Sequence, residues 1–414
     1  MRSRSLTGSI VCAVLSFAGS AYADAVTDWN AITLSCVQGP PNPANRPGPP
    51  GLLDIALVQA AVHDAVQAIQ GRFESYQYAN PALLGVGSPQ AAAAAAAYGA
   101  LVGLYGAGDP CLAGVADPAV TYAGDAGLQA GDEAAAALLL LYRPAFALPT
   151  DPFVGGTGPG EWRPTPGVTQ GANTYMAVTP PFALNRPSQF RPPPPTPLPS
   201  EVYLREYNEV KDLGALGSSA RTPEQTDLAR FWSVNFIAQW FGTLRAIAAA
   251  HVPDIGDKAR LFALAGFATA DSQIAVYDSK YHFNFWRPIT AIWEGDDDGN
   301  ADTIGDPAWI PFLPTPPYPD HTSGANCIGG AVTTILQLYF GTDELEFSVS
   351  STAAGLTVNP RVYHRFSDAA QEIVEARILQ GIHFRSADEL GRRQGGRVAH
   401  WTFMKLLRPV PGRD

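Results

Sequence analysis

Thirty-seven prolines and 40 glycines in 414 residues set the first limit on this chain, because no regular element can run through the places where they cluster. Proline removes a backbone donor and clashes with the preceding helical turn, so each Pro-rich stretch must be a connection or a surface wrap. The densest runs from Pro144 to Pro199 and contains GGTGPGEWRPTPG and RPPPPTPLP. Trp162, Phe182 and Phe190 lie inside it. Large aromatics gain most from burial, so this stretch is expected to pack onto a body as ordered wrapping, in preference to serving as a flexible linker.

Elsewhere apolar residues recur at helical spacing. Helices are expected over Leu52–Ile69, Ala91–Leu104, Gly131–Tyr142, Asp227–Ala250, Lys258 to about Trp286, Ala325–Phe340, Ser367–Gln380 and Asp388–Leu407. Thr222 is placed to cap the fourth, with Glu224 in its first turn. Alternating strand patterns are scarce and no solenoid period repeats. The hydrophobic fraction of 46% supports a sizeable core and excludes bulk disorder. The expected fold class is all-α, a helical bundle with long Pro/Gly-rich loops.

Residues 1–23 have the pattern of an export signal: Arg2 and Arg4, an apolar run from Leu6 to Ala18, and Ala21-Tyr22-Ala23 before a cleavage point. The remaining chain, 24–414, is expected to form one helical domain, periplasmic or secreted, without a membrane span. The segment holds two of the 27 basic residues and none of the 38 acidic ones, so its removal takes the net charge from −11 to −13. That balance argues against general nucleic-acid binding. Cys36, Cys111 and Cys327 would remain, without the spacing of a structural zinc site. A Cys36–Cys111 disulfide fits an oxidising compartment, and Cys327 reads as a buried structural thiol.

Three basic side chains and a histidine stand out. Lys280 and Arg287 are seven apart in KYHFNFWRP, which would put both on one helical face. Arg377 and His383 are six apart in ARILQGIHF, where Gly381 can end a helix and bring the imidazole back. Between them PDHTSGANC forms a turn before a helix, whose backbone N–H groups suit an anion. Together these make an oxyanion site from Lys280, Arg287, Arg377, the Ser323 hydroxyl and the Gly324 N–H, with His383 facing a tetrahedral centre.

The order KYHFNFWRP, PYPDHTSGA, ARILQGIHFR resembles the vanadium-dependent haloperoxidase and type 2 phosphatidic acid phosphatase superfamily. VTDWN, AAVHDAVQAI, GEWRPTP and RTPEQTDLARFW are similar to its bacterial haloperoxidase-like branch. The resemblance implies a haloperoxidase-type helical fold. It also implies vanadate held by Lys280, Arg287, Ser323, Gly324 and Arg377, and ligated by His383. The reactants implied are hydrogen peroxide and halide, or a phosphate ester attacked by His383. The second motif departs from the pattern. Thr322 stands for proline and Ala325 for the acid-base histidine, and alanine transfers no proton. His321, four residues earlier, is a candidate catalytic substitute if the loop shifts, although a position usually held by an aromatic explains it as well. Asp388 follows His383 by five residues where four is frequent, which puts an orienting role in doubt. Three functions therefore stay open: a haloperoxidase, active or weakened; a phosphatase; and a non-catalytic oxyanion binder. DDDGNAD at 296–302 lacks the glycine position and closing glutamate of a calcium loop.

Overall fold

A computed structural model describes residues 24–39, 48–142 and 151–413. Residues 1–23, where an export signal is expected, and residues 144–150 of the Pro-rich stretch lie outside them. The described residues form, in chain order, α1 (Ala25–Gln38), α2 (Gly51–Gln70), α3 (Pro89–Tyr105), α4 (Pro118–Thr121), α5 (Gly127–Tyr142), α6 (Glu201–Leu213), α7 (Pro223–Phe231), α8 (Phe236–His251), α9 (Ile255–Phe283), α10 (Pro288–Trp293), α11 (Gly324–Phe340), α12 (Phe366–Leu379) and α13 (Arg385–Lys405). Strands β1 (Glu344–Val349) and β2 (Arg361–Arg365) pair antiparallel between α11 and α12. The fold is all-α apart from this ribbon.

Two helix expectations change, and further helices join the expected set. The segment 227–250 is two helices, because the chain breaks after Phe231 and Asn235 caps α8, accepting from the N–H groups of Ile237 and Ala238. The helix expected to reach Trp286 stops at Phe283, where Asn284 takes a left-handed conformation (φ 48°) and its N–H closes on the Lys280 carbonyl. Helices α1 and α6 were not anticipated. Asp24 and Thr27 build a capping box at the start of α1, and Ser200 caps α6.

Helix α2 is the centre of the core. Its 20 residues are long and apolar enough to cross a membrane, which corrects the expectation that no later stretch is. Every residue of that apolar window is buried inside the protein, as an all-round hydrophobic core helix requires. His63 sits here, fully buried, with Nε2 3.0 Å from the Glu74 carbonyl oxygen. Burial pushes its pKa down from 6.5 to about 4. Below pH 6.5 the unfolded chain therefore takes up a proton that the folded chain refuses until about pH 4. The histidine's contribution to stability thus falls as pH falls through that window, by up to about 1.4 kcal/mol per unit. His63→Gln keeps a donor for Glu74 without titrating. In urea melts its stability relative to the parent should rise by about 2–3 kcal/mol between pH 6.5 and 4.5. A constant difference would contradict the assignment.

The Pro-rich wrap packs as expected over its described part. Trp162 and Phe182 are buried. Asp271 of α9 accepts from the N–H groups of Phe182, Ala183 and Leu184, and Arg191 grips Asp278 with two bonds of 2.8 and 2.7 Å. The wrap also clamps the bend after α9. Trp162 N–H donates to the Asn284 carbonyl (2.7 Å) and Trp286 N–H to the Gly160 carbonyl (2.9 Å).

Helices α11 and α13 approach backbone to backbone. A methyl group added at Gly395 would lie 2.0 Å from the Cys327 carbonyl oxygen, and one at Gly391 would lie 2.5 Å from that of Ser323. Glycine at these positions lets α13 seat the N-terminus of α11. Cys36 and Cys111 form a disulfide, and Cys327 is a buried free thiol.

Candidate oxyanion site

Lys280 lies in the last turn of α9, fully buried, and its Nζ donates to the carbonyl oxygens of Pro319 (2.7 Å) and Asp320 (2.9 Å). Arg287 does not share a helical face with it, because α9 has already ended. The clamped bend at Asn284 carries Arg287 to the start of α10, so the two cations converge across a turn. Arg287 Nε donates to the Tyr318 carbonyl (2.8 Å) and Nη1 to that of Ile382 (2.7 Å). Lys280 Nζ and Arg287 Cζ lie 5.1 and 5.2 Å from the Tyr318 ring centroid, so one π system faces both charges.

Arg377 lies in the last turn of α12, with Nη1 on Gln380 Oε1 (2.6 Å) and Cζ 5.3 Å from the Phe236 ring centroid. Gly381 then turns the chain with φ 74°, and His383 returns beside Arg287. Arg287 Nη1 lies 3.2 Å from His383 Nε2 and 3.4 Å from Nδ1. This is the arrangement expected from the glycine.

A cavity of about 330 Å³ is lined by Lys280, Arg377, His383, Gly324 and Ala325. Its other walls come from Ser233 to Ile237, Gln273, Tyr277, Tyr318 and Ile328, with Gly48 and Pro49 at one side. The stretch 233–237 is the break between α7 and α8. Burial, then the neighbouring cations, holds the Lys280 pKa well below its ordinary value and does the same to His383. Burial also brings Arg377 down to about 10. Such a cluster is short of negative charge. Arg287 Nη2 and Arg377 Nε are buried without a hydrogen-bond acceptor, and the first N–H groups of a helix have no partner within it, here at Gly324 and Ala325. Unused donors in and beside a cation-lined cavity fit a tetrahedral oxyanion.

Two expected members are placed otherwise. His321 turns from the cavity, with Nε2 2.9 Å from the Pro193 carbonyl oxygen and its ring edge-on to Phe283. Burial lowers its pKa to about 4. A ring held by the Pro-rich wrap does not replace the histidine missing at Ala325. Ser323 is buried behind the cavity wall, where its hydroxyl accepts from Asn326 Nδ2 (3.3 Å) and bonds to Asp388.

Asp388 therefore does not orient His383. It accepts from Asn326 Nδ2 (2.8 Å), and burial pushes its pKa well above the carboxylate range. The carboxylate beside His383 is Asp320, with Oδ1 2.6 Å from Nδ1. Asp320 was not singled out in the sequence. An acidic residue next to Pro319, in a loop expected to meet three cations, was the available signal.

With the geometry in place, the relatives are informative. The family model of the VCPO second helical-bundle domain matches residues 260–412. That span contains Lys280, Arg287, Arg377 and His383. Residues 260–412 are thus similar to the second helical-bundle domain of vanadium chloroperoxidases. The vanadium chloroperoxidase of Curvularia inaequalis is 32% identical over 155 residues, covering 30% of this chain and 24% of that protein. The match thus spans about a quarter of that relative's length. The fold extends further. A bacterial vanadium-dependent iodoperoxidase structure superposes with a TM-score of 0.72 at 23% identity, covering 94% of this chain and 96% of the other. A holo-type bacterial vanadium-dependent chloroperoxidase gives 0.68 at 17% identity, over 91% and 97%. The architecture is the vanadium haloperoxidase fold along nearly the whole chain.

Proposed function

We propose that this protein is an exported haloperoxidase-type oxidoreductase that holds vanadate and oxidises halide with hydrogen peroxide. The observation that carries the proposal is the set of buried, acceptor-less donors on Arg287 and Arg377 beside His383. Lys280, Arg287, Arg377 and the Gly324 N–H would hold the vanadate oxygens, and His383 would meet the metal. Vanadate, when bound, supplies a Lewis acid that activates peroxide toward halide. The chain's own work is to offset the anion's charge in a low-dielectric hole, where each fixed donor counts for more than in water. Ala325 puts no proton-transfer group at the start of α11, where the resemblance implies a histidine, so turnover is expected to be weak. Export is supported by the signal pattern and by the Cys36–Cys111 disulfide. A single folded unit over 24–414 is supported by a main core that draws residues from α1 (Val26) to α13 (Ala399).

The apolar side of the cavity, formed by Val234, Phe236, Ile237 and Ile328, favours a second reading. It suits the organic group of a phosphate ester whose phosphorus His383 would attack, expelling the alcohol. The two readings part in the assay. Bromide oxidation that needs added vanadate marks the first. Phosphate release from an aryl phosphate, inhibited by vanadate, marks the second, and tight vanadate binding with neither turnover marks a binder only. His383→Ala tests the ligand assignment directly. The cations should still hold vanadate loosely, while the vanadium-51 resonance shifts toward that of the free anion. A spectrum matching the parent's would remove His383 from the metal.

A further inference from the structure

We propose that Asp320 is the positioning residue of His383, fixing the ring as its Nδ1–H tautomer so that Nε2 keeps a lone pair for the oxyanion site. The inference rests on His383 being the group that meets the bound centre. Asp320 and His383 are both buried, and Oδ1 lies 2.6 Å from Nδ1. A buried carboxylate needs donors, and Asp320 has few. Neither oxygen has another aligned side-chain donor, and Arg287 Nη1 stands off at 3.5 Å. The Phe384 backbone N–H reaches the carboxylate, and the imidazole N–H is the side-chain group that can add to it. Arg287 Nη1, already anchored on the Ile382 carbonyl, lies 3.2 Å from Nε2. The same Nη1 lies 3.4 Å from Nδ1, so Arg287 leaves the choice between the two nitrogens to the carboxylate. The carboxylate at Nδ1 is the contact that specifies the tautomer.

The backbone explains how a residue 63 positions away comes to do this. Lys280 holds the Pro319 and Asp320 carbonyls, and Asp320 N–H donates to the Phe285 carbonyl (2.9 Å). The carboxylate is thus presented from a strand of chain pinned at both of its peptide groups. Asp388, five residues after His383, is engaged by Asn326 and Ser323 instead.

The test is long-range proton–nitrogen NMR of histidine-labelled full-length protein without vanadate, with His383→Ala assigning the signal. The parent should show Nδ1–H and an unprotonated Nε2. Asp320→Asn retains a carbonyl acceptor and should keep that tautomer and vanadate affinity within a few-fold. Asp320→Ala should mix the tautomers and weaken vanadate at least tenfold. An Nε2–H ring in the parent overturns the proposal, as does an unchanged tautomer in folded Asp320→Ala. Should the alanine variant not fold, Nε2–H in the asparagine variant overturns it and Nδ1–H upholds it. A parent that shows Nδ1–H yet ignores vanadate defeats the functional reading and leaves this one standing.

Discussion

Changing Arg377 to alanine is expected to weaken vanadate binding about 10- to 100-fold, since a charge-assisted contact in a desolvated site is worth roughly 1.5–3 kcal/mol. Arg377 lines the cavity, and its Nε is buried without an acceptor. Burial already depresses its pKa to about 10, so a bound anion restores what desolvation took away. Removing the guanidinium also strips Asp388 of the nearby charge that favours its ionised form. The site then loses attraction for the ligand without any new donor to replace it. Gln380, which Arg377 holds at 2.6 Å, also donates to the Ala229 carbonyl, so the turn after α12 keeps an anchor in the variant. Isothermal titration with vanadate measures the effect, and circular dichroism checks the fold. An affinity within about twofold of the parent's would mean that the oxyanion sits elsewhere.

What the sequence disclosed about this site depended on how local the signal was. Arg377, Gly381 and His383 lie within seven residues, and one glycine sufficed to read the turn between them. Lys280 was equally legible, but Arg287 was placed by the wrong route. Helical spacing through YHFNFW continues past Phe283 on paper, whereas Asn284 and the clamp from Gly160 and Trp162 end the helix. The clamp joins segments more than 120 residues apart, and no local pattern reports it.

The same limit hid the cavity wall at 233–237. Phe231, Trp232, Phe236 and Trp240 keep an apolar recurrence across the break, with Phe231, Trp232 and Trp240 buried and Phe236 half-buried. Asn235 was the one local sign, as a capping side chain in the middle of an expected helix. Asp320 carried no periodicity at all. Its meaning came only when Lys280 and His383 were brought to either side of it.

Ala325 is the residue at which a change should produce the largest gain. It is the second residue of α11, after Ser323 at the cap and Gly324, and its side chain faces the cavity shared with Lys280, Arg377 and His383. General acid-base catalysis contributes roughly 10²–10⁴-fold where a ring reaches the reacting oxygen. Ala325→His should therefore raise vanadate-dependent bromide oxidation, or aryl phosphate cleavage, by about 10²-fold or more. A larger side chain in a packed core costs about 1–3 kcal/mol, but this one would grow into the cavity. Gly324 has no such freedom, since a methyl group there meets Gln273 Oε1 at 3.0 Å. The parent's residual activity should survive His321→Ala, because that ring is committed to the Pro193 carbonyl. Rates with and without vanadate, beside a thermal melt and a binding titration, complete the comparison. A folded Ala325→His protein that binds vanadate as the parent does and gains no activity would show that the missing imidazole is not what limits this site.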